Sequence, residues 1–389
     1  MNKNLIVLTI AQSLGMCSGP VVILLGGILG AQLASSSELA TLPVAFMIVG
    51  SVLAITPATM VMRRFGRRVG FFIGSLIAVV GCICAAYAIS VSSFPLFCLA
   101  TASIGFNMAV IQQYRFAAVE NVSPERASRA ISLVMSGGIV AAYIGPELAT
   151  GFQGWLDYGL YSGSFVSLAV VLAAAGLVLL LYTDDSVEEQ DLAEVKSDGF
   201  WALLLSPSVF LLAIASSAAA FGVMSLVMTA TPVHMHLGHH FSVEDTAWVI
   251  QSHIMAMFIP SLFSGYLIAK VGLPNILAIG IALLFIAVIT AMTEIGLNGY
   301  WVVLVLLGVG WNFLFTAGTT LLTSSYHAEQ RYRAQATHDL TVFAFQAGSA
   351  LASGVILHRL GWFNIQIISA VVLTLLTVAF FSMRKRLPA

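Results

Sequence analysis

The sequence predicts an all-α membrane protein: twelve transmembrane helices in two pseudo-symmetric halves of six. Three observations carry this prediction. The first is composition. Of 389 residues, 59% are apolar and only 8% are charged, against about 25% charged in a typical soluble chain. The 16 basic and 17 acidic side chains cannot coat a globule of this size. Soluble enzymes, nucleic-acid binders and disordered tails are excluded. The second is the length of the apolar runs, each near the ~20 residues that one membrane crossing needs. The third is an internal repeat.

Taken in order, the spans are expected at 5–33, 40–62, 69–90, 94–118, 130–151 and 160–182, then at 209–233, 246–269, 274–295, 300–324, 334–356 and 363–383. The first run follows a single lysine, Lys3, without an obvious cleavage site, and reads as a retained helix. Cys17, Cys82, Cys84 and Cys98 all lie in apolar runs and read as small packing residues. The longest polar interruption, Thr183–Asp198, holds seven acids against Lys196. It reads as a solvated tether. This divides the chain into an N-terminal half, 1–182, an acidic linker, 183–208, and a C-terminal half, 209–389. Gly199–Ser206, with Phe200 and Trp201, suits the membrane interface.

Orientation follows from lysine and arginine. With the N-terminus inside, Lys3, Arg63, Arg64, Arg67, Arg68, Arg115, Arg126, Arg129, Lys196, Lys270, Arg331, Arg333, Arg384, Lys385 and Arg386 all fall on the cytoplasmic side. Only Arg359 falls outside. An even number of spans with both termini cytoplasmic is expected.

Three matches relate the halves. Gly105-Phe106-Asn107 pairs with Gly310-Trp311-Asn312. Glu125-x-x-x-Arg129-Ala130 pairs with Glu329-x-x-x-Arg333-Ala334. Arg64-x-Gly66 pairs with Lys270-x-Gly272. Their offsets agree within two residues, and each match holds the same place in its half, as a parallel duplication requires.

The loop Thr59-Met60-Val61-Met62-Arg63-Arg64-Phe65-Gly66-Arg67-Arg68 carries the basic part of a motif that the major facilitator superfamily places between spans two and three. Arg63 stands at that motif's acid position. Gly265-Tyr266-Leu267-Ile268-Ala269-Lys270-Val271-Gly272 is its second copy and also lacks the acid. Gly137-Gly138 and Gly145-Pro146 are similar to the fifth-helix motif of the family's antiporters, while an early arginine in span four is missing. Met228–Pro232, His253–Ser261 and Gly308–Phe313 resemble a bacterial twelve-helix branch. The resemblance covers essentially the whole chain. It implies a secondary transporter of the inner membrane, working by alternating access around a midplane site. Arg64, Gly66, Arg67, Arg68, Arg115, Glu120, Lys270 and Gly272 become gate or loop residues, and Gly145 and Pro146 a helix bend.

Ionisable groups inside a bilayer are costly and are functional candidates by default. Asp339, in span eleven, is the first candidate for a titrating or substrate-contacting acid; a structural pair with His338 is the alternative. Glu147 lies towards the outer end of span five, where an interfacial carboxylate is the alternative. Glu120 suits an ion pair with Arg115 or the basic loop. His253 can titrate near neutral pH, or serve as a core donor. Asn107, Gln112, Gln113, Asn312 and Gln346 are amides in apolar spans, suited to the solute or to helix–helix hydrogen bonds. His234, His236, His239 and His240 form the one metal-like run, loosely spaced.

No phosphate-binding glycine loop with Lys-Ser/Thr and no H-E-x-x-H occurs. The expectation is a non-enzymatic transporter without a cofactor, monomeric, moving a small organic solute coupled to protons. A vitamin-like metabolite or an exported drug-like compound suits the few charges. A metal or siderophore transporter, and a membrane receptor that moves nothing, are the alternatives.

Overall fold

The computed structural model describes residues 2–120, 122, 127–184, 208–293, 296–325 and 331–387. The tether from Asp185 onward, with Lys196, Phe200 and Trp201, lies outside them, as do Glu125, Arg126 and Glu329. Among the described residues every regular element is helical. Eleven helices there are long and apolar enough to cross a membrane. A twelfth span is the pair Val243–Leu262 and Ser264–Val271, bent by 57°.

Several expected spans are broken rather than continuous. The first runs Lys3–Gly15 and then Ser18–Leu33, with Met16 and Cys17 between. Gly15, Gly19 and Pro20 surround the break, and each weakens a helix interior. The fourth ends at Ile111 and resumes as Tyr114–Glu120, so Gln112 caps a helix rather than sitting inside one. The fifth divides into Ala127–Met135 and Gly137–Gly151. The eighth passes through a short 3-10 turn, Ile259–Leu262, at Pro260. The eleventh is longer than expected, a single helix from Arg331 to Leu360.

Contacts divide the chain into two compact units. The first holds Met1–Glu188 with Thr229–Phe258; the second holds Glu189–Met228 with Ile259–Ala389. Inside the first unit, spans two and four touch backbone to backbone. A Cβ on Gly105 would lie 2.0 Å from the Met47 carbonyl oxygen, and one on Gly50 would lie 2.3 Å from that of Ala102. Small residues permit such an approach. Inside the second unit the matching glycine, Gly310, meets Leu284 of the ninth span at 3.0 Å. The repeated glycine thus serves helix packing in both units. Gly145 serves it too, since its Cβ would meet the Pro20 ring at 2.7 Å. Cys17, Cys82 and Cys98 are buried and Cys84 is half-buried, all four as free thiols.

Candidate functional site

Among the described residues of the first unit, the buried amide side chains, Asn4, Gln12 and Asn107, stand on spans one and four. Asn107 is buried on Phe94–Ile111, and its Oδ1 has no hydrogen-bond partner among the described residues. Gln12 on the first span is similar: its Nε2 donates to Met16 Sδ at 2.8 Å, while its Oε1 is unpartnered among the described residues. Ser18 donates to the Gly15 carbonyl and approaches Met108 Sδ at 3.3 Å. The unit therefore buries two amide oxygens able to accept from a solute. Gln12 is legible in the sequence only as a polar residue in an apolar run, without the duplication that marks the asparagines.

In the second unit the matched asparagine is engaged differently. Asn312 donates through Nδ2 to Ser261 Oγ, joining the tenth span to the 3-10 turn. One helical position away, Trp311 belongs to a ring cluster. Trp311 and Phe315 are stacked with centroids 5.3 Å apart and planes 19° apart. Phe221 of Ser208–Val233 stands edge-on to both at 5.0 Å, and Phe343 of the eleventh span meets Phe221 at 6.2 Å. Phe315 in turn stacks on His338 at 6.5 Å. His338 is buried, and its Nδ1 lies 2.9 Å from Asp339 Oδ1. The half-exposed Asp339 carboxylate and the buried imidazole thus form one hydrogen-bonded pair. Gln346 is half-buried, and its carbonyl accepts from Ser225 Oγ at 3.1 Å. No sequence signal marked the rings as a set, because aromatics are ordinary filling for a membrane span.

The basic loop is held by acids from elsewhere in the first unit. Gly66 sits at φ 86°, open to glycine alone at little cost. The Asp184 carboxylate accepts from the Arg67 and Arg68 backbone N–H groups at 3.1–3.3 Å, capping the third span. A carboxylate there also suits the helix dipole. Arg67 donates to Glu120. Arg115 lies over the Phe116 ring at 4.8 Å, and Arg64 over Phe65 at 5.3 Å. Arg63 leaves the motif's acid position empty of charge complementarity, and Asp184, 117 residues beyond Arg67, supplies it. The second copy, Gly272 at φ 89°, places Lys270 over Tyr266 at 5.8 Å.

At the far end of the first unit, His253 is fully buried on Val243–Phe258 and Glu147 is exposed on Gly137–Gly151. Gln153 donates to Glu244 at 3.2 Å. The histidine run is a wide turn after Pro232, His234–Gly238. The His234 and His239 rings meet edge-on at 4.8 Å, and His236 Nδ1 lies 2.9 Å from the Phe241 carbonyl. His240 turns the chain at φ 58°. Among the described residues no three histidine, cysteine or carboxylate side chains converge as a metal site requires.

A family model described as Major Facilitator Superfamily matches residues 4–345. The chain belongs to the Major Facilitator Superfamily. It is a multi-pass membrane transporter and not an enzyme. It is 37% identical over 361 residues to the riboflavin transporter RfnT of Brucella anthropi, covering 92% of this chain and 90% of the relative. It is 31% identical over 396 residues to the uncharacterized MFS-type transporter YddS of Bacillus subtilis, covering 97% and 89%. A solved POT family transporter in complex with 5-aminolevulinic acid superposes with a TM-score of 0.76 at 14% identity, covering 98% and 96%. The nucleoside transporter NupG superposes at 0.72 and 15%, covering 99% and 100%. At that identity the superfamily fold is what they share.

Proposed function

We propose that this transporter moves a small, weakly charged organic solute across the cytoplasmic membrane by alternating access, with riboflavin the first compound to test and protons as the coupling ion. The observation that carries the substrate is the 37% identity to RfnT across nearly the whole of both chains. The chemistry of the buried groups supports it. Buried amide oxygens in the first unit, and an indole N–H with a carboxylate–imidazole pair in the second, are each suited to a neutral polar heterocycle. Residues 1–182 and 209–389 are the halves that rock, both termini are cytoplasmic, and the monomer is the working unit. Arg67–Glu120 and the Asp184 cap belong to the gate at the basic end.

The coupling group is Asp339 with His338. Gaining a proton changes the charge of the pair by one, and a charge within a membrane span is expensive. Coupling results when that cost differs between the two access states; a proton bound equally in both shifts nothing. The test uses purified protein in liposomes. Wild type is expected to concentrate riboflavin when a pH gradient is imposed. Asp339→Asn is expected to lose uphill uptake by at least about tenfold while retaining gradient-free exchange. Undiminished uphill uptake by that variant would remove Asp339 from the mechanism. Failure of wild type to take up riboflavin under any gradient would remove the substrate.

A further inference from the structure

Resting on the reading that the solute is a neutral heterocycle, we infer that the ring cluster of the second unit is the platform that recognises a planar heteroaromatic ring, with Trp311 its anchor. Three observations support this. First, the rings come from three separate helices at mid-span. Phe221 is near the centre of Ser208–Val233, Trp311 and Phe315 are central in Leu297–Thr323, and Phe343 lies in Arg331–Leu360. Residues with no sequence proximity converge at the depth where a polar heterocycle must be held during transport.

Second, the cluster has the geometry of a platform. Trp311 and Phe315 are one helical turn apart, and their planes differ by only 19°. Phe315 and His338 continue the series at 28°. Near-parallel rings stacked one turn apart form a column that a further flat ring can extend. Phe221 props this column edge-on from the seventh span. Phe221, Phe315 and Phe343 are each only half-buried, so the cluster is not closed on itself as a core would be.

Third, the polar groups of the cluster are unmet. Trp311 is 7% exposed, yet its Nε1–H has no hydrogen-bond partner among the described residues. His338 spends Nδ1 on Asp339, and its Nε2 is likewise unpartnered among the described residues. A buried indole N–H normally finds an acceptor. Trp362 in the same unit does so, donating to the Ala291 carbonyl at 2.8 Å. A solute ring that stacks on the platform and carries a carbonyl or ring nitrogen at its edge satisfies Trp311 as it binds. The class is thus a flat heteroaromatic with edge acceptors. Solutes that are only polyols or only aliphatic have nothing to lay on it.

The test is equilibrium binding to the full-length protein in detergent, read by quenching of riboflavin fluorescence. The variants are Trp311→Phe, Trp311→Ala and Phe343→Leu, with Trp362→Phe as the control. Stacking on one aromatic residue contributes a factor of roughly 5 to 150 in affinity. Trp311→Ala is expected to weaken binding at least about tenfold, and Trp311→Phe, which keeps a ring and removes the N–H, by roughly fivefold. Trp362→Phe is expected to stay within about twofold. Lumichrome, the ring without the polyol chain, is expected to compete; ribitol is not. Riboflavin affinity unchanged in Trp311→Phe and Phe343→Leu, both folded by thermal unfolding, would overturn the platform while leaving the riboflavin reading standing. Absence of riboflavin binding by wild type overturns that reading instead. The same variants are then titrated with lumichrome, a pterin and a xanthine. Trp311-dependent binding of any of these upholds the platform, and binding of none overturns it.

Discussion

The two glycine turns of the repeat make the most informative comparison in the molecule. Gly66 and Gly272 share one backbone geometry, φ 86° with ψ 161° and φ 89° with ψ 144°, and each opens a long membrane helix. Their surroundings differ. Over Gly66 lies the Asp184 carboxylate, which caps two backbone N–H groups, and Arg67 beside it holds Glu120. Around Gly272 the neighbours are Lys270, Asn275 and Arg384, lining an open cavity of about 600 Å³ with no acid among them. Duplication preserved the turn, which is a backbone requirement that only glycine meets cheaply. It did not preserve the charges, which depend on what the rest of the chain delivers to each turn.

Substitution of the glycines themselves should separate the two turns most. Gly66→Ala places a Cβ 2.5 Å from Asp184 Oδ2 at a left-handed φ. It is expected to lose about 2–4 kcal/mol, from backbone strain plus a displaced cap. Gly272→Ala meets its nearest atom at 3.9 Å, so strain alone, about 1–3 kcal/mol, is expected. Thermal unfolding of the purified variants measures both, and equal losses would mean that the cap adds nothing. Next is Asp184→Ala, expected to cost about 1 kcal/mol as a lost helix cap. Asp184→Asn should retain part of that, because an amide oxygen still accepts. An Asp184→Ala protein as stable as wild type would take away the distinction between the turns. Smallest is the Arg67–Glu120 pair, partly open to solvent. Glu120→Gln is expected to cost about 0.2–1 kcal/mol, less at high salt. Lys270→Ala, beside Tyr266, should change stability by no more than that. A larger loss at Lys270 than at Glu120 would reverse the ranking.

Legibility from sequence divided along the same line. The glycine turns, the matched Gly-x-Asn positions and the twelve apolar runs depend on residues adjacent in the chain, and all were readable. The uses of those positions were not. Asn107 and Asn312 occupy equivalent places. Yet the Asn107 Oδ1 has no hydrogen-bond partner among the described residues, while the Asn312 Nδ2 donates to Ser261 of the 3-10 turn at Pro260. Glu120 was expected to pair with Arg115 or the basic loop, and its partner is Arg67 of that loop. Asp184 read as the first acid of a solvated tether, because nothing local ties it to a turn more than a hundred residues earlier. The His338–Asp339 contact was foreseen as an alternative because the two residues are neighbours. Its continuation through Phe315 to Trp311 was not.

Local sequence alone therefore sets the membrane class, the apolar spans and the glycine turns. Each follows from a run of about twenty apolar residues or from a single backbone that tolerates a positive φ, and neither needs knowledge of a distant partner. Which side chains meet is set by how the helices pack. Folding seats Asp184 on the third span and assembles rings from three helices around Trp311. In a chain where most residues are apolar, composition carries little information about neighbours. The packing of small and large side chains across helices, together with the cost of leaving a buried polar group unmet, makes those choices.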